Sequence, residues 1–149
     1  MLDTHRPQAD AAATSEHEQR CHALAEKFIE FLETGDAPEG LFAPDVFTDL
    51  TVPTWRLQSR GIDGVVGLHK AGHPGPSTVK RWRFDPTPTG FVFEFDEAWD
   101  QDGEHWTARE IVRADVSEEG ITELAIYCTG DWSTARRAEH AEAVMLLRP

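Results

Sequence analysis

Two glutamates interrupt the apolar face of a predicted β-hairpin over 91–114. Polarity alternates with a period of two on both sides of the Asp102-Gly103 pair, and both residues tolerate the positive φ of a type I′ turn. With that turn setting the register, Glu97 and Glu110 share one face with the apolar residues of both strands. A carboxylate buried alone is costly, so each must be paired, protonated or in contact with water or a ligand.

The placement of these acids has two interpretations. If the carboxyl groups lie within reach of each other, their pKa values separate, so that one can act as an acid while the other acts as a base. Alternatively, a register shifted by one residue turns both side chains to solvent, or both lie at a rim beside Arg or Lys partners. The first interpretation predicts that Glu97 and Glu110 are catalytic.

A histidine, His69, lies on the apolar stripe of a short predicted helix over 62–71. Its imidazole could shuttle a proton near neutral pH, or it could be a core histidine that is satisfied by a backbone carbonyl. His73 follows four residues later, but Gly72 and Pro74 interrupt the helix and disfavour a two-histidine metal clamp. We therefore predict no metal site.

The only tyrosine, Tyr127, lies in the last predicted strand, 121–129, on the same side as Asp131. If that strand pairs across a turn at 117–120, Tyr127 comes opposite Glu110. A phenol beside a carboxylate could bind a carbonyl oxygen or steer a proton. The alternative is a structural hydrogen bond that satisfies Glu110 while the ring packs.

Tryptophan is frequent for an acidic domain of this size. Some of these side chains could line a pocket for a flat apolar ligand. Their other common use is packing, in the core or at a sheet-to-sheet homodimer interface. The five are Trp55, Trp82, Trp99, Trp106 and Trp132.

Periodicity and punctuation predict the elements that must position these residues. Residues 1–14 are predicted to be a mobile tail, and Ser15 with Glu18 forms a capping box for a helix that Gly35 ends. Ser133 is the predicted N-cap of the last helix. The other predicted elements are strands at 46–52, 78–84 and 121–129, and helices at 62–71 and 133–147. Residues expected to face inward in the last helix are Ala135, Ala138, Ala141, Val144 and Met145.

Composition narrows the class of protein. The chain has 149 residues and 40% apolar content, which predicts one globular domain over 15–149. A formal net charge of -13 argues against nucleic acid and anionic membranes as partners, because both would repel it. Two distant cysteines suggest neither a disulfide framework nor a thiolate zinc site, and a cytoplasmic protein is the default expectation. The usual hydrolase, zinc-protease, P-loop and dinucleotide motifs do not occur, so cofactor-free acid-base chemistry is the simplest enzymatic option.

Four segments carry a resemblance to a known family: FIEFLETGD at 28–36, LFAPDVFTDLTVP at 41–53, RGIDGVVGL at 60–68 and GITELAIY at 120–127. Their order is similar to that of the NTF2-like superfamily, which includes SnoaL-like cyclases and ketosteroid isomerases. The resemblance implies an α+β cone, with helices packed on the concave face of a strongly bent antiparallel sheet. It implies a fold more directly than a function, because the superfamily holds enzymes and non-enzymes.

The resemblance also suggests roles for single residues. Asp49 looks like the general-base aspartate of the ketosteroid isomerase pattern and would point into the cone; the alternative is a surface carboxylate on an edge strand. Phe28 falls where that pattern has its oxyanion-hole tyrosine, and a phenyl ring cannot donate a hydrogen bond to an enolate. The substrate pocket is predicted to include Phe28, Trp55, Phe95, Trp106 and Asp131.

These features predict a small SnoaL-like enzyme without a cofactor. Asp49, Glu97 and Glu110, with His69 or Tyr127, would move protons on a hydrophobic, biosynthetic substrate in cyclisation, isomerisation or dehydration. A homodimer is the expected assembly. The alternative is a non-catalytic ligand-binding or dimerisation module of the same fold, and a third possibility is a metal or haem site.

Overall fold

The computed structural model describes the backbone of residues 6–148 and the side chains of residues 13–148. Its helices are α1 (Arg6–Thr34), α2 (Ile62–Gly72) and α3 (Thr134–Ala143). Its strands are β1 (Phe42–Val52), β2 (Trp55–Arg60), β3 (Ser77–Thr87), β4 (Gly90–Gln101), β5 (Glu104–Ser117), β6 (Gly120–Cys128) and β7 (Trp132–Ser133). The predicted α+β class is confirmed: helices pack on one large, curved sheet.

The sheet has the strand order β2-β1-β6-β5-β4-β3, and the short strand β7 pairs with β5. All pairs are antiparallel except β1 with β6, which is parallel, so the predicted antiparallel sheet contains one exception. The pairing of β1 with β6 places the first strand of the chain beside its last long strand. Because β1 and β6 are neighbours, residues from both ends of the sequence contribute to one concave face.

The β4–β5 hairpin has the predicted register. Asp102 and Gly103 have φ values of 53° and 77°, as a type I′ turn requires. Glu97 therefore pairs with Ala108, and Glu110 pairs with Phe95 across the strands. Both glutamates face the concave side of the sheet, with 1% and 8% of their surface exposed.

A β-bulge in β6 overturns the predicted position of Tyr127. Thr122 has no partner in β5, so the pairing shifts by one residue beyond it. Cys128 now lies opposite Glu110, while Tyr127 lies opposite Ile111 on the outer face with 57% of its surface exposed. The prediction that Tyr127 contacts Glu110 is therefore wrong, because one extra residue reverses the face of every later side chain.

The first helix begins earlier than its capping pattern predicts. It starts at Arg6 rather than at Ser15, so the predicted tail over 1–14 overlaps the helix. Residues 1–5 of that predicted tail lie outside the described part of the chain. One face of this helix is buried. It packs on the inner face of the sheet with the aromatic residues of β4, in a core that includes Cys21, Leu24, Ala25, Phe28, Leu32, Phe91, Phe93 and Phe95.

The last helix differs from its prediction in length and in burial. Ser133 caps it as predicted, accepting a hydrogen bond from the Arg136 amide at 3.1 Å, but the helix ends at Ala143 instead of 147. No residue of α3 is buried, so the predicted inward stripe is wrong. The physical reason is position: β7 pairs with the edge of β5, and α3 then lies over the outer face of the sheet, away from the core.

Within residues 6–148, no helix combines the length and the apolar character that crossing a membrane requires.

Two glycine substitutions should change the stability of the protein in opposite directions. At one position an added Cβ would clash with a neighbouring strand, and at the other it would meet open space. A Cβ on Gly90 would lie 1.9 Å from the backbone oxygen of Ala114, so Gly90→Ala forces β4 and β5 apart. We expect a loss of about 2 kcal/mol or more in the free energy of unfolding. Gly67 lies in α2 with no atom within 4 Å of a built Cβ, so Gly67→Ala should stabilise the protein by about 0.5–1 kcal/mol. Urea unfolding of both variants and the wild type measures these changes; equal stabilities would contradict the packing described.

Candidate active site

A cavity of about 150 Å³ lies between the helices and the concave face of the sheet. Apolar side chains of α1, α2, β1 and β6 form most of its wall: Phe28, Phe31, Leu32, Leu50, Val52, Val65, Leu68 and Ile126. Its polar residues are Thr48, His69, His73, Glu97, Glu110, Cys128 and Asp131. The cavity therefore has an apolar side and a side that carries five ionisable groups besides the thiol.

A larger groove of about 600 Å³ lies on the outer face, between α3 and strands β3 to β5. Glu97 and Asp96 both line it, and Asp96 accepts hydrogen bonds from Arg81 at 3.0 Å and from Arg109 at 3.2 Å. The Asp96 carboxylate is partly exposed and neutralised by two arginines, as is usual on a protein surface. The internal cavity, in which Glu97 and Glu110 are buried, is the better candidate for chemistry.

His73 occupies the centre of the polar side, in the loop that follows α2. Its Nδ1 lies 3.0 Å from Glu97 Oε2, and its Nε2 lies 3.5 Å from Asp131 Oδ1. The ring also lies against the indole of Trp99, with 3.8 Å between ring centroids. Burial alone would lower the pKa of His73, but the carboxylates of Asp131 and Glu97 outweigh burial and raise the pKa to about 10. His73 is therefore an imidazolium at neutral pH.

Glu97 is the ionised partner of His73. Burial favours its neutral form, but the contacts with His73 and with Ser77 outweigh burial and lower the pKa of the carboxyl. Ser77 Oγ lies 2.6 Å from Glu97 Oε1 and 2.8 Å from the backbone oxygen of Leu32, and its single hydrogen can serve one of them at a time. Glu97 Oε2 faces His73 without a hydrogen bond of good geometry among the described residues.

Glu110 is the neutral acid of the site. Burial raises the pKa of its carboxyl to about 8, and the negative charge of Glu97 adds to the shift. Since both glutamates lie on the same hairpin face, ionising the second would place two negative charges together in a buried site. Cys128 lies opposite Glu110, and burial raises the pKa of its thiol to about 12, so this sulfur is not a thiolate at neutral pH.

His69 lines the cavity and is also held by the backbone. Its Nε2 lies 3.2 Å from the oxygen of Leu32, which requires the hydrogen on Nε2. Burial is the main cause that lowers the pKa of His69, so the ring is neutral. The prediction of a core histidine that is satisfied by a backbone carbonyl therefore holds for the Nε2 atom. The same side chain also forms part of the cavity wall.

Three of these residues could together hold a metal ion. One ligand atom each of His69, His73 and Glu97 lies within 4.8 Å of the others. The sequence disfavours this pair of histidines because of Gly72, yet α2 continues to Gly72 and brings them together, with ring centroids 5.7 Å apart. Both nitrogens of His73 face carboxylates, which suits an imidazolium better than a metal ligand that must lose its proton.

Asp49 lies on the opposite side of β1 from the cavity. Arg56 binds it through two hydrogen bonds, of 2.9 Å to Oδ1 and 2.5 Å to Oδ2, and these lower the pKa of the carboxyl. Its neighbours Thr48 and Leu50 line the cavity instead. The prediction of Asp49 as a general base in the cone is therefore wrong, because alternation along the strand gives the inward position to Thr48.

The remaining predicted pocket residues divide between the cavity and other places. Phe28 and Asp131 line it. Phe95 lies behind the wall in the aromatic core, 6.3 Å from the Phe28 ring. Trp55, 69% exposed, lies at the end of β2, and Trp106 pairs with Ser133 of β7, so neither lines the cavity.

Sequence reasoning missed three residues of this site, namely Thr48, Ser77 and Cys128, and it considered His73 only as a disfavoured metal ligand. His73 carried a usable signal, since it follows His69 by one helical turn. Ser77 and Thr48 carried none, because a hydroxyl residue in a strand has many structural uses.

Comparison with known proteins places this fold. No family model matches the sequence, and no curated protein matches it significantly. An NTF2-like protein from Anabaena variabilis ATCC 29413 superposes with a TM-score of 0.65 at 18% identity, over 88% of this chain and 97% of its own. A candidate polyketide cyclase from Xanthomonas campestris pv. campestris gives 0.60 at 17% identity, over 74% and 91%. A candidate ketosteroid isomerase from Kribbella flavida DSM 17836 gives 0.54 at 18% identity, over 77% and 82%.

The chain has the NTF2-like fold, as its resemblance to that superfamily predicts. At these identities the similarity concerns the arrangement of helices and strands, and the chemistry must be argued from the cavity itself.

The raised pKa of Glu110 makes the stability of the protein depend on pH. Folding raises this pKa from 4.5 to about 8, so the stability from this group is highest below pH 4.5 and decreases as pH rises toward about 8. Glu110→Gln cannot titrate. We therefore expect its melting temperature, relative to wild type, to increase by about 5 °C or more between pH of about 5 and about 9.

Thermal unfolding across this pH range measures the difference. Glu94→Gln is the matched control, since Glu94 lies on the outer face of the same hairpin beside Arg109. Parallel curves for Glu110→Gln and the wild type would show that Glu110 is not a neutral buried acid.

Proposed function

We propose that the protein is a small-molecule enzyme that performs cofactor-free acid-base chemistry on a hydrophobic substrate in the internal cavity. The observation that carries this proposal is that two buried glutamates line one cavity, Glu97 in contact with His73 and Glu110 without an ion-pair partner among the described residues, an arrangement that lowers the pKa of Glu97 and raises that of Glu110. Two carboxyl groups with separated pKa values provide a base and an acid at the same pH. The reactions that need only these groups are isomerisation, cyclisation and dehydration of carbonyl compounds.

In the proposed isomerisation, Glu97 removes a proton from the carbon that lies between a carbonyl group and a carbon–carbon double bond. Glu110 gives its proton to the carbonyl oxygen as negative charge develops there, which yields an enol. Glu110 then takes the oxygen-bound proton back, while Glu97 returns its proton to a different carbon, so both carboxyls regain their starting forms. In a dehydration, Glu110 would instead protonate the departing hydroxyl group.

His73 acts on Glu97 in this proposal rather than on the substrate. Its imidazolium keeps Glu97 ionised in a place where burial alone would protonate the carboxyl. Asp131 contacts the other nitrogen and orients the ring. The apolar wall around Phe28 and Leu50 would hold the substrate skeleton and exclude water, which strengthens each of these interactions.

The solved structures support this proposal at the level of fold. One is a candidate polyketide cyclase and another a candidate ketosteroid isomerase, and both have the same architecture. A non-catalytic binding module is the second candidate, favoured by the partial neutralisation of the acids by His73. The predicted homodimer remains a proposal; outward apolar side chains such as Ile111 and Tyr127 offer a surface for it.

Proton abstraction can be tested without knowing the natural substrate. In D2O, the wild-type protein should accelerate exchange of the α-protons of cyclohex-2-enone, followed by proton NMR. Glu97→Gln removes the base and should reduce the exchange rate by about 100-fold or more. The wild-type rate should fall as pH rises through about 8, where Glu110 loses its proton.

Asp49→Asn is the matched control, because Asp49 lies outside the cavity in an ion pair with Arg56. It should leave the exchange rate unchanged. Equal losses in Asp49→Asn and Glu97→Gln would contradict the assignment of the base, and enone binding without any exchange would favour the binding module.

A further inference from the structure

The cavity holds more negative than positive groups. Three carboxyl groups, those of Glu97, Glu110 and Asp131, share it with two imidazoles. Among the described lining residues there is no Lys or Arg. Even with Glu110 neutral, the single imidazolium of His73 cannot balance both Glu97 and Asp131.

Two buried polar atoms of the wall have spare capacity for a ligand. Thr48 Oγ1 lacks a hydrogen-bond partner among the described residues, and Glu97 Oε2 has only its 3.0 Å ion-pair contact with His73 Nδ1, which is not a hydrogen bond of good geometry; both side chains are 1% exposed. Both residues line the cavity. An ionised carboxylate accepts hydrogen bonds and donates none, so the lone pairs of Glu97 that His73 and Ser77 leave open can accept from a donor on a ligand. The Thr48 hydroxyl can accept as well.

The size of the cavity limits what can enter. Its volume is about 150 Å³. An apolar cavity of about that volume in another protein holds one benzene molecule. The aromatic and aliphatic wall around Phe28, Phe31 and Leu32 suits a ring of that size.

We propose that the substrate of this site is a single ring or a chain of similar size that carries a basic amine, and that the cavity rejects the corresponding carboxylate. This rests on the proposed function, whose cavity and acids it uses. An ammonium group supplies up to three donors, which would bind the free lone pairs of Glu97 and Asp131. A carboxylate ligand would add a negative charge beside these two groups, and among the described lining residues only His73 offers a cation to bind it.

The net charge of -13 also attracts cations to the whole protein surface. A test must therefore distinguish amine binding in the cavity from this general attraction. The variants Asp131→Asn and Glu94→Gln distinguish the two effects, because each removes one negative charge but only the first removes it from the cavity. Asp131 lies in the cavity wall and is partly exposed, so its loss should be tolerated, whereas Glu94 lies on the outer face.

Isothermal titration calorimetry with benzylamine, benzyl alcohol and benzoate on the full chain tests the proposal at neutral pH. We expect benzylamine to bind at least about ten-fold more tightly than benzoate, with benzyl alcohol between them. Asp131→Asn should reduce benzylamine affinity by about ten-fold and leave benzyl alcohol unchanged, while Glu94→Gln should change neither. A second variant, Glu97→Gln, should also lose the preference for the amine.

Three outcomes would overturn the proposal: benzoate binding as tightly as benzylamine, an equal loss in Glu94→Gln and Asp131→Asn, or binding of none of the three compounds. These outcomes are separate from the catalytic proposal. Enone exchange that persists without amine preference would sink this inference alone, whereas amine preference without exchange would sink only the proposed catalysis.

Discussion

The contact between Glu97 and His73 is the interaction on which the site depends. Their nearest side-chain atoms lie 3.0 Å apart, and neither residue has more than a small part of its surface in water. Each charge alone would be costly at that depth, so removing one partner leaves the other uncompensated. The pair also joins two distant parts of the chain, since it fixes the loop after α2 on the centre of β4.

The state of Glu110 follows from that pair. Burial raises the pKa of Glu110, and because His73 keeps Glu97 ionised, the second glutamate of the same hairpin face also meets a negative neighbour and retains its proton. A single geometric fact, the shared face of two residues set by the Asp102-Gly103 turn, thus produces an acid and a base. The β4–β5 hairpin lies between β6 and β3 in the sheet, and the two glutamates on its apolar face, Glu97 and Glu110, give it a chemical role as well.

Local chemistry of the chain determines which parts could be predicted from the sequence. A two-residue turn fixes the register of its own hairpin, so the inward position of both glutamates could be predicted. The residue of β6 that lies opposite Glu110 could not be predicted, because it depends on a β-bulge at the unpaired Thr122. This bulge has no signature in the local sequence. The role of His73 was missed for a similar reason: it arises from contacts with β4 and Asp131, which lie far away in sequence.

The outcome for Asp49 shows why a family resemblance predicts the fold better than the site. The strand that carries Asp49 is present in the expected place, but successive side chains of a strand point to opposite faces, so an offset of one residue moves the acid out of the cavity. There Arg56 neutralises it, and the inward position belongs to Thr48. The acids of the cavity come instead from β4 and β5. Since packing requires only that the inner face be mostly apolar, a cone of this kind can keep its architecture while its acids move from one strand to another.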